Sequence, residues 1–342
     1  MQIPTSVLDL TPVPAGVGAR VALENSIALA VAAEGLGYHR YWVAEHHNSP
    51  TMACPAPEIM MSHIACATGT IRVGSGGIML PNHSPLRVAE AFRVLEALHP
   101  GRIDLGIGRA PGTDSLTAYA LRRGASGAED FPEQLAELLA YTDTGFPSDH
   151  PFAGIAAGPR EIPLPPIWIL GSSDYGAQVA ATMGVGFAFA RHLNPRGAAG
   201  AIARYRAQFR PSGKIPAPRV ILATSAICAD TSQRANDLAA SMALGVIRLR
   251  SGRAAPLPTP EEALAYSYTA EEEDQVRRYR RAQVVGTGDE VRDELLELVR
   301  LTGADELMLM AMVHSHRERV HSYGVVAGAL GLDERRVPTA TS

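Results

Sequence analysis

Apolar and polar positions along the chain alternate between two rhythms. Short β-rich runs are each followed by a longer stretch with apolar residues at helical spacing. "IPTSVLDL" (3–10) reads as a strand, and "VALENSIALAVAAEGLG" (21–37) as an amphipathic helix ending at glycine. The same pair repeats as strand 38–45 with helix 56–68, strand 71–80 with helix 85–99, and strand 102–110. A longer connection follows, and its second half reads as a helix. Strand 165–171 precedes helix 172–184, strand 185–190 precedes helix 194–210, and strand 217–229 precedes helix 231–247, which opens at a threonine cap. Residues 250–283 break the rhythm with "RSGRAAPLPTP" and the charged "EEEDQVRRYRR", and read as an excursion above the fold, a lid. A helix over "GDEVRDELLELVRLTG", an eighth strand (304–313) and a last helix (316–330) complete the chain.

Eight strands alternating with helices point to a closed (β/α)8 barrel with insertions, a single domain over 1–342. The competing architecture is an open doubly wound sheet. It would place a glycine-rich dinucleotide loop after the first strand, and "LTPVPAGVGA" lacks the GxGxxG spacing.

Composition narrows the picture. The chain has 342 residues, 46% hydrophobic and 19% charged, enough apolar material for one large core. A net charge of −4 with no long basic run gives no footing for nucleic acid or an anionic membrane. The three cysteines are scattered, with no CxxC, so a disulfide framework is not expected and a reducing cytoplasm fits. No leader pattern and no apolar run of roughly 20 residues is seen, so a soluble protein is expected.

In a barrel of this kind functional groups gather at the C-terminal ends of the strands. The polar clusters fall there: Asp9, then Glu45, His46 and His47, then Asn82 and His83, Arg109, Ser172 and Ser173, and finally His314 and His316. By strand alternation Glu45 and His47 point one way and His46 the other. All three therefore cannot ligate one metal, although a metal hydrolase using His46, His47 and His314 is a competing reading. "ILGSSDYGAQ" places a Gly-Ser-Ser turn before a helix. Free N–H groups, hydroxyls and the helix dipole there suit an anion, and Arg109 suits phosphate. An ordinary serine cap is the plainer explanation. Glycines 74, 76 and 77 inside a strand fit either a flat ligand lying on the backbone or a bulge at a barrel corner.

The chain resembles the bacterial luciferase-like flavin-dependent monooxygenases, closest to the luciferase family oxidoreductases of group 1. The resemblance is carried by "SVLDLTPVP", "LGYHRYWVAEHHN", "IRVGSGGIMLPNHSPLRVAEAFRVLEALHPGRIDLGIGRAPGTD", "ILGSSDYGAQVAA" and "VVGTGDEVRDELLELVRLTGADELML", nearly the whole chain. It implies a luciferase-like TIM barrel, usually a homodimer, that uses FMN reduced by a separate NAD(P)H:flavin reductase. Oxygen would add to give a C4a-peroxyflavin, which attacks an organic substrate. Carried over residue by residue, His46 is the acid/base and Glu45 faces the flavin. Asp9, Gly76, Gly77, Arg109, Ser172, Ser173, Asp174, Tyr175 and Gly176 form the cofactor site, and no metal is implied. The likeness also places a cis peptide at Gly76–Gly77.

Two departures stand out. Gly108 occupies the place of the reactive cysteine of the luciferases proper, which argues against light-emitting aldehyde oxidation. Gly176 replaces a hydroxyl residue, which implies weak, transient FMN binding. Substrate-lining residues are expected from 110–130 and 250–283, and an apolar lining would suit an aromatic or long-chain molecule. The competing functions are a deazaflavin-dependent oxidoreductase on the same barrel and a non-catalytic flavin-binding protein.

Overall fold

The computed structural model describes residues 3–122, 130–141, 145–212 and 215–333. Its elements in order are β1 (Thr5–Asp9), α1 (Ala19–Gly35), β2 (Arg40–Val43), α2 (Pro57–Ala67), β3 (Arg72–Ser75), β4 (Ile78–Met79), α3 (Pro85–Leu98) and β5 (Ile103–Gly108). Then come α4 (Ser115–Arg122), α5 (Phe131–Leu139), β6 (Ile167–Gly171), α6 (Asp174–Met183), β7 (Gly186–Ala190), α7 (Ala198–Gln208) and β8 (Val220–Cys228). The chain ends with α8 (Ser232–Arg250), α9 (Pro260–Ala265), α10 (Ala270–Arg280), β9 (Gln283–Gly286), α11 (Gly288–Thr302), β10 (Glu306–Met310) and α12 (His316–Leu330).

All strand pairs are parallel, in the order β1-β2-β3-β5-β6-β7-β8-β10. β10 pairs with β8 on one side and β1 on the other, for example Leu309 with Thr224 and with Val7, and this closes the barrel. The expected eight-stranded architecture is therefore the one observed. The strand expected over 71–80 is split: β3 stops at Ser75, the Gly76–Gly77 peptide is cis, and β4 resumes along β5. β9 was not anticipated. It pairs with the upper half of β8, Ser225 to Cys228, beyond the reach of β7.

The barrel interior explains two of the glycines. Trp42 and Trp168 are packed inside with ring centroids 6.0 Å apart. Trp42 is in register with Gly74 on β3, and Trp168 with Gly186 on β7. A Cβ at Gly74 would lie 2.4 Å from Trp42 Nε1, and one at Gly186 2.4 Å from the Trp168 ring. Each indole thus needs a neighbour without a side chain, the large-beside-small rule of a packed interior. Below them, at the N-terminal end, buried charges are matched. Arg40 donates to Asp104 (2.7 Å) and Glu306 (2.7 Å), and Arg72 donates to Asp104 (2.6 Å). Buried ions need partners of this kind, because an unpaired one would carry its full desolvation cost.

Residues 250–283 fold rather than trail. Thr259 caps α9 and a Thr269/Glu272 capping box opens α10. Leu257, fully buried, donates its N–H to Val13 O, and Ala15 N–H returns to Leu257 O. Arg248–Glu262 (2.6 Å) ties the segment to the end of α8, and Arg253–Glu272 (3.4 Å) braces it internally. Among the described residues no helix is long and apolar enough to cross a membrane.

Candidate active site

A cavity of about 550 Å³ opens at the C-terminal end of the strands and reaches down to Trp42 and Trp168. Leu8, Leu170, Met308 and Met310 make its lower walls. Among the described residues no aspartate or glutamate lines it.

His46 lines this cavity. The reason lies one residue to each side. Past the end of β2, Glu45 turns outward and is fully buried, accepting from Met79 N–H (2.8 Å), Asn82 Nδ2 (3.2 Å) and His83 Nε2 (3.0 Å), with His47 Nε2 2.7 Å away. With Glu45 and His47 joined on the outer side, alternation sends His46 inward. Its main-chain N–H is fixed to Cys54 O at 2.9 Å. Burial pushes the imidazole pKa down to about 4, so it is neutral at pH 7. Nδ1 is buried without a hydrogen-bond partner among the described residues, which leaves Nε2 as the nitrogen open to the cavity.

Glu45 does not line the cavity, which corrects the expectation that it faces the cofactor. Burial raises its pKa, but the hydrogen bond and charge of His83, then the Met79 N–H and His47, outweigh burial and leave it lowered. Its role in the structure is to hold the β2 end against the turn after β4.

Asp9 is likewise absent from the cavity wall. It is fully buried and accepts from Arg319 Nη2 (2.5 Å), Tyr41 OH (2.5 Å), Thr11 N–H (2.7 Å) and the Ser26 hydroxyl. The pair with Arg319 joins β1 to α12. An inward position would have left Arg319, only 2% exposed, without a counter-ion.

The phosphate-type features do converge. Arg109, Ser172, Ser173, Tyr175 and Gly176 all line one end of the cavity. Arg109 stacks on Tyr175, guanidinium carbon 4.1 Å from the ring centroid, and makes no ion pair among the described residues. Ser173 is the N-cap of α6 in extended backbone, yet its hydroxyl makes no capping bond. The helix therefore presents free N–H groups and a free hydroxyl to an anion. Asp174 points elsewhere: it is exposed, pairs with Arg204 (3.2 Å) and does not line the cavity. Gly176 has a packing reason to be glycine. Its ideal Cβ would lie 3.3 Å from Gly171 Cα, because the strand end and the first turn of α6 touch there.

Gly76 lines the cavity and Gly77 does not. A Cβ at Gly76 would meet Leu8 Cδ1 at 2.5 Å, and one at Gly77 would meet Gly106 O at 2.8 Å. Gly108 lies against Met79, whose sulfur would be 2.8 Å from a Cβ there, so the methionine fills the place of a side chain at 108. The three histidines of the metal reading separate: His46 is in the cavity, His47 is on Glu45, and His314 Nε2 is 3.1 Å from Ala15 O. Among the described residues no three metal-binding side chains are grouped to hold an ion.

Several wall residues carried no sequence signal. His192, just past β7, has Nδ1 3.3 Å from Ala223 O, so donation there leaves Nε2 as an acceptor. Burial pushes its pKa down to about 4. Arg250, Tyr279 and Gln283 line the wall formed by α8, α10 and β9, within the region 250–283 expected to supply substrate contacts. Of the other expected region, Ala110 lines the cavity and residues 123–129 lie outside those described.

An apolar well with an anion clamp, set at the C-terminal ends of a closed parallel barrel, defines the class as a (β/α)8-barrel enzyme. The luciferase-like monooxygenase profile matches residues 3–306. A luciferase-like monooxygenase of Escherichia coli K12 is 41% identical over 93% of this chain and 94% of its own length. The N-acetyl-S-alkylcysteine monooxygenase of Bacillus subtilis 168 is 33% identical over 95% of this chain and 97% of its own. The crystal structure of apo-MsnO8 superposes with a TM-score of 0.87 at 38% identity, covering 97% of this chain and all (100%) of that one. The chain belongs to the luciferase-like monooxygenase family.

Proposed function

We propose that this protein is an FMN-dependent monooxygenase that takes reduced FMN from a separate NAD(P)H:flavin reductase and uses O2 on a small organic molecule. The observation that carries this reading is the shared cavity. One end offers Arg109 with the free N-terminus of α6, and the rest is an apolar well beside the Gly76 backbone. A flat, apolar ring system with a phosphate tail fits that combination. Arg109, Ser172 and Ser173 would bind the phosphate, and Leu8, Leu170 and Met310 would wall the ring. Bound in reduced form, FMN supplies the electrons with which O2 is activated.

The chain's own residues then exclude water and manage protons. Wall residues that are nearly all neutral keep bulk water from competing at the reacting centre. His46 enters neutral and accepts a proton at Nε2. Residues 250–283 would close the mouth, and the Arg248–Glu262 pair to α8 gives them the position to do so. The Bacillus relative acts by name on an N-acetyl-S-alkylcysteine. A substrate of similar size, with an apolar arm, agrees with the walls seen here.

A homodimer has support of its own. Ile59 on α2 and Val94 and Leu98 on α3 are 59%, 48% and 64% exposed and line one outer groove. Light scattering of the purified chain is the check: a mass of two protomers would support this assembly, and a monomer mass would remove it.

The test of function is anaerobic titration of chemically reduced FMN, followed by mixing with O2. Saturable binding, with O2 consumption that exceeds hydrogen peroxide release once substrate is added, is the expected result. Binding of a deazaflavin in place of FMN, with no O2 consumption, would move the chain to the hydride-transfer branch.

A further inference from the structure

One wall of the cavity has donors that the phosphate end does not need. Arg250, the last residue of α8, lines the mouth with an exposed side chain that makes no hydrogen bond or ion pair among the described residues. Its neighbours differ. Arg248 has Glu262, Arg253 has Glu272, Arg277 has Glu273 and Arg278 has Asp274. Arg280 is held by Asn236 instead, and Arg250 is the unpaired cation among the described residues of this region that lines the cavity.

Tyr279 of α10 stands beside it, close enough for the guanidinium to act electrostatically on the phenol. The Tyr279 oxygen accepts from Gln283 Nε2 at 3.3 Å, and the same Nε2 reaches Ser225 Oγ at 3.4 Å. With its lone pair engaged, the phenol has a proton and no acceptor for it among the described residues. Burial pushes the phenol pKa above its ordinary value, with Arg280 and Arg250 acting against this, so it stays a donor. Gln283, 6% exposed and also on the cavity wall, thus holds the phenol in a bridge to Ser225.

We infer that Arg250 and Tyr279, the phenol held by Gln283, form the head-group subsite for the substrate, and that the substrate carries a carboxylate. The guanidinium and the phenolic O–H supply two donors, and a guanidinium fork matches the planar carboxylate. The apolar remainder lies against Leu193, Met242, Val246 and Leu249 on the same side of the cavity. Among the described residues no acidic side chain lines the cavity, so the protein wall itself adds no repulsion to a second anion. This rests on the reading that Arg109 and α6 hold the cofactor phosphate.

The protein has its own reporter. Its two tryptophans, Trp42 and Trp168, both line the cavity. Flavin-free protein is titrated with N-acetylphenylalanine and with N-acetylphenylalanine amide, following indole fluorescence. Equilibrium binding of FMN is measured separately. The wild type is expected to prefer the carboxylate by about tenfold. Arg250→Gln should abolish that preference and leave FMN affinity within about twofold. Tyr279→Phe should reduce the preference in part, and Arg109→Gln should keep it while losing FMN. Equal binding of the two probes, or no binding of either, by the wild type overturns the inference. So does a preference that survives Arg250→Gln. Loss of FMN binding in Arg250→Gln with carboxylate preference intact would assign Arg250 to the phosphate instead. Failure of the wild type to bind FMN defeats the proposed function but leaves the carboxylate measurement standing on its own.

Discussion

His47 Nε2 and Glu45 Oε1 lie 2.7 Å apart on the outer side of the β2 end, and that pairing turns His46 into the cavity. A residue with no hydrogen-bonded side chain is thus oriented by its two neighbours. The catalytic reading of His46 depends on this division of the three residues between two faces.

Replacing His46 with Asn should lower substrate oxidation by about 10²–10⁴-fold, the usual contribution of a positioned acid or base. FMN affinity should stay within about twofold, since the phosphate end is untouched. Burial holds the ring near pKa 4, so it is neutral above that value and gains its proton only as pH falls through it. The acid limb of the rate should therefore lie near 4 and not near 6.5. A limb at the ordinary histidine value, or an active Asn variant, removes His46 from the mechanism.

Glu45→Gln should destabilise the fold by about 1–3 kcal/mol, the cost of weakening a buried charge-assisted network. The pH dependence has two signs. The His83 pKa is raised: burial lowers it, and the bond and charge of Glu45 more than reverse this. Its contribution is full below the unfolded value and is lost as pH rises through the folded one. The Glu45 pKa is lowered, so its contribution is present above the unfolded value and lost as pH falls through the folded one. The gap between wild type and variant in urea unfolding should be widest between about pH 4.5 and 6.5. A gap that does not vary with pH would mean the pair contributes no net charge interaction.

Gly76→Ala and Gly77→Ala should differ. The clash at Gly76 is with the tip of Leu8, a side chain that can rotate, whereas at Gly77 it is with Gly106 O, a backbone atom of β5. Overpacking against the fixed partner is expected to cost about 1–3 kcal/mol, and the movable one less. The Gly76 variant should instead show its effect in flavin binding, because Gly76 lines the cavity and Gly77 does not. Thermal unfolding and FMN titration of the two variants separate these outcomes, and a reversed order would contradict the packing argument.

Arg109→Gln should weaken FMN by about tenfold or more, through loss of a charge-assisted bond to phosphate, while riboflavin binding stays unchanged. The comparison isolates the phosphate, since riboflavin has the same ring without it. Equal losses for both flavins would place Arg109 on the ring.

Much of the barrel was legible because closure depends on periodicity, and periodicity is a property of the chain. The eight strands, the glycine run at β3 and the Gly-Ser-Ser turn before α6 follow from residue order alone. So does the opposed orientation of His46 and its neighbours, since alternation along a strand is local. The placement of Arg109 and Ser173 at one end of the cavity was readable for the same reason: a strand end followed by a helix start has one geometry.

What the chain order could not decide is where a charge finds its counter-charge. Asp9 sits at a strand end like a site residue, but Arg319, 310 positions later, draws it into the wall between β1 and α12. Glu45 is taken by His83 and Asn82 from the turn after β4, and Asp174 by Arg204 of α7. Conversely His192 lies about 60 residues before Arg250, and Arg250 about 30 before Tyr279 and Gln283, with no shared motif; only closure of the barrel and the folding of 250–283 onto α8 place them on one cavity. Local spacing sets the direction of a side chain relative to its own strand or helix. Which side of that element becomes cavity and which becomes buried ion pair is set by contacts far apart in sequence, and those exist only in the folded barrel.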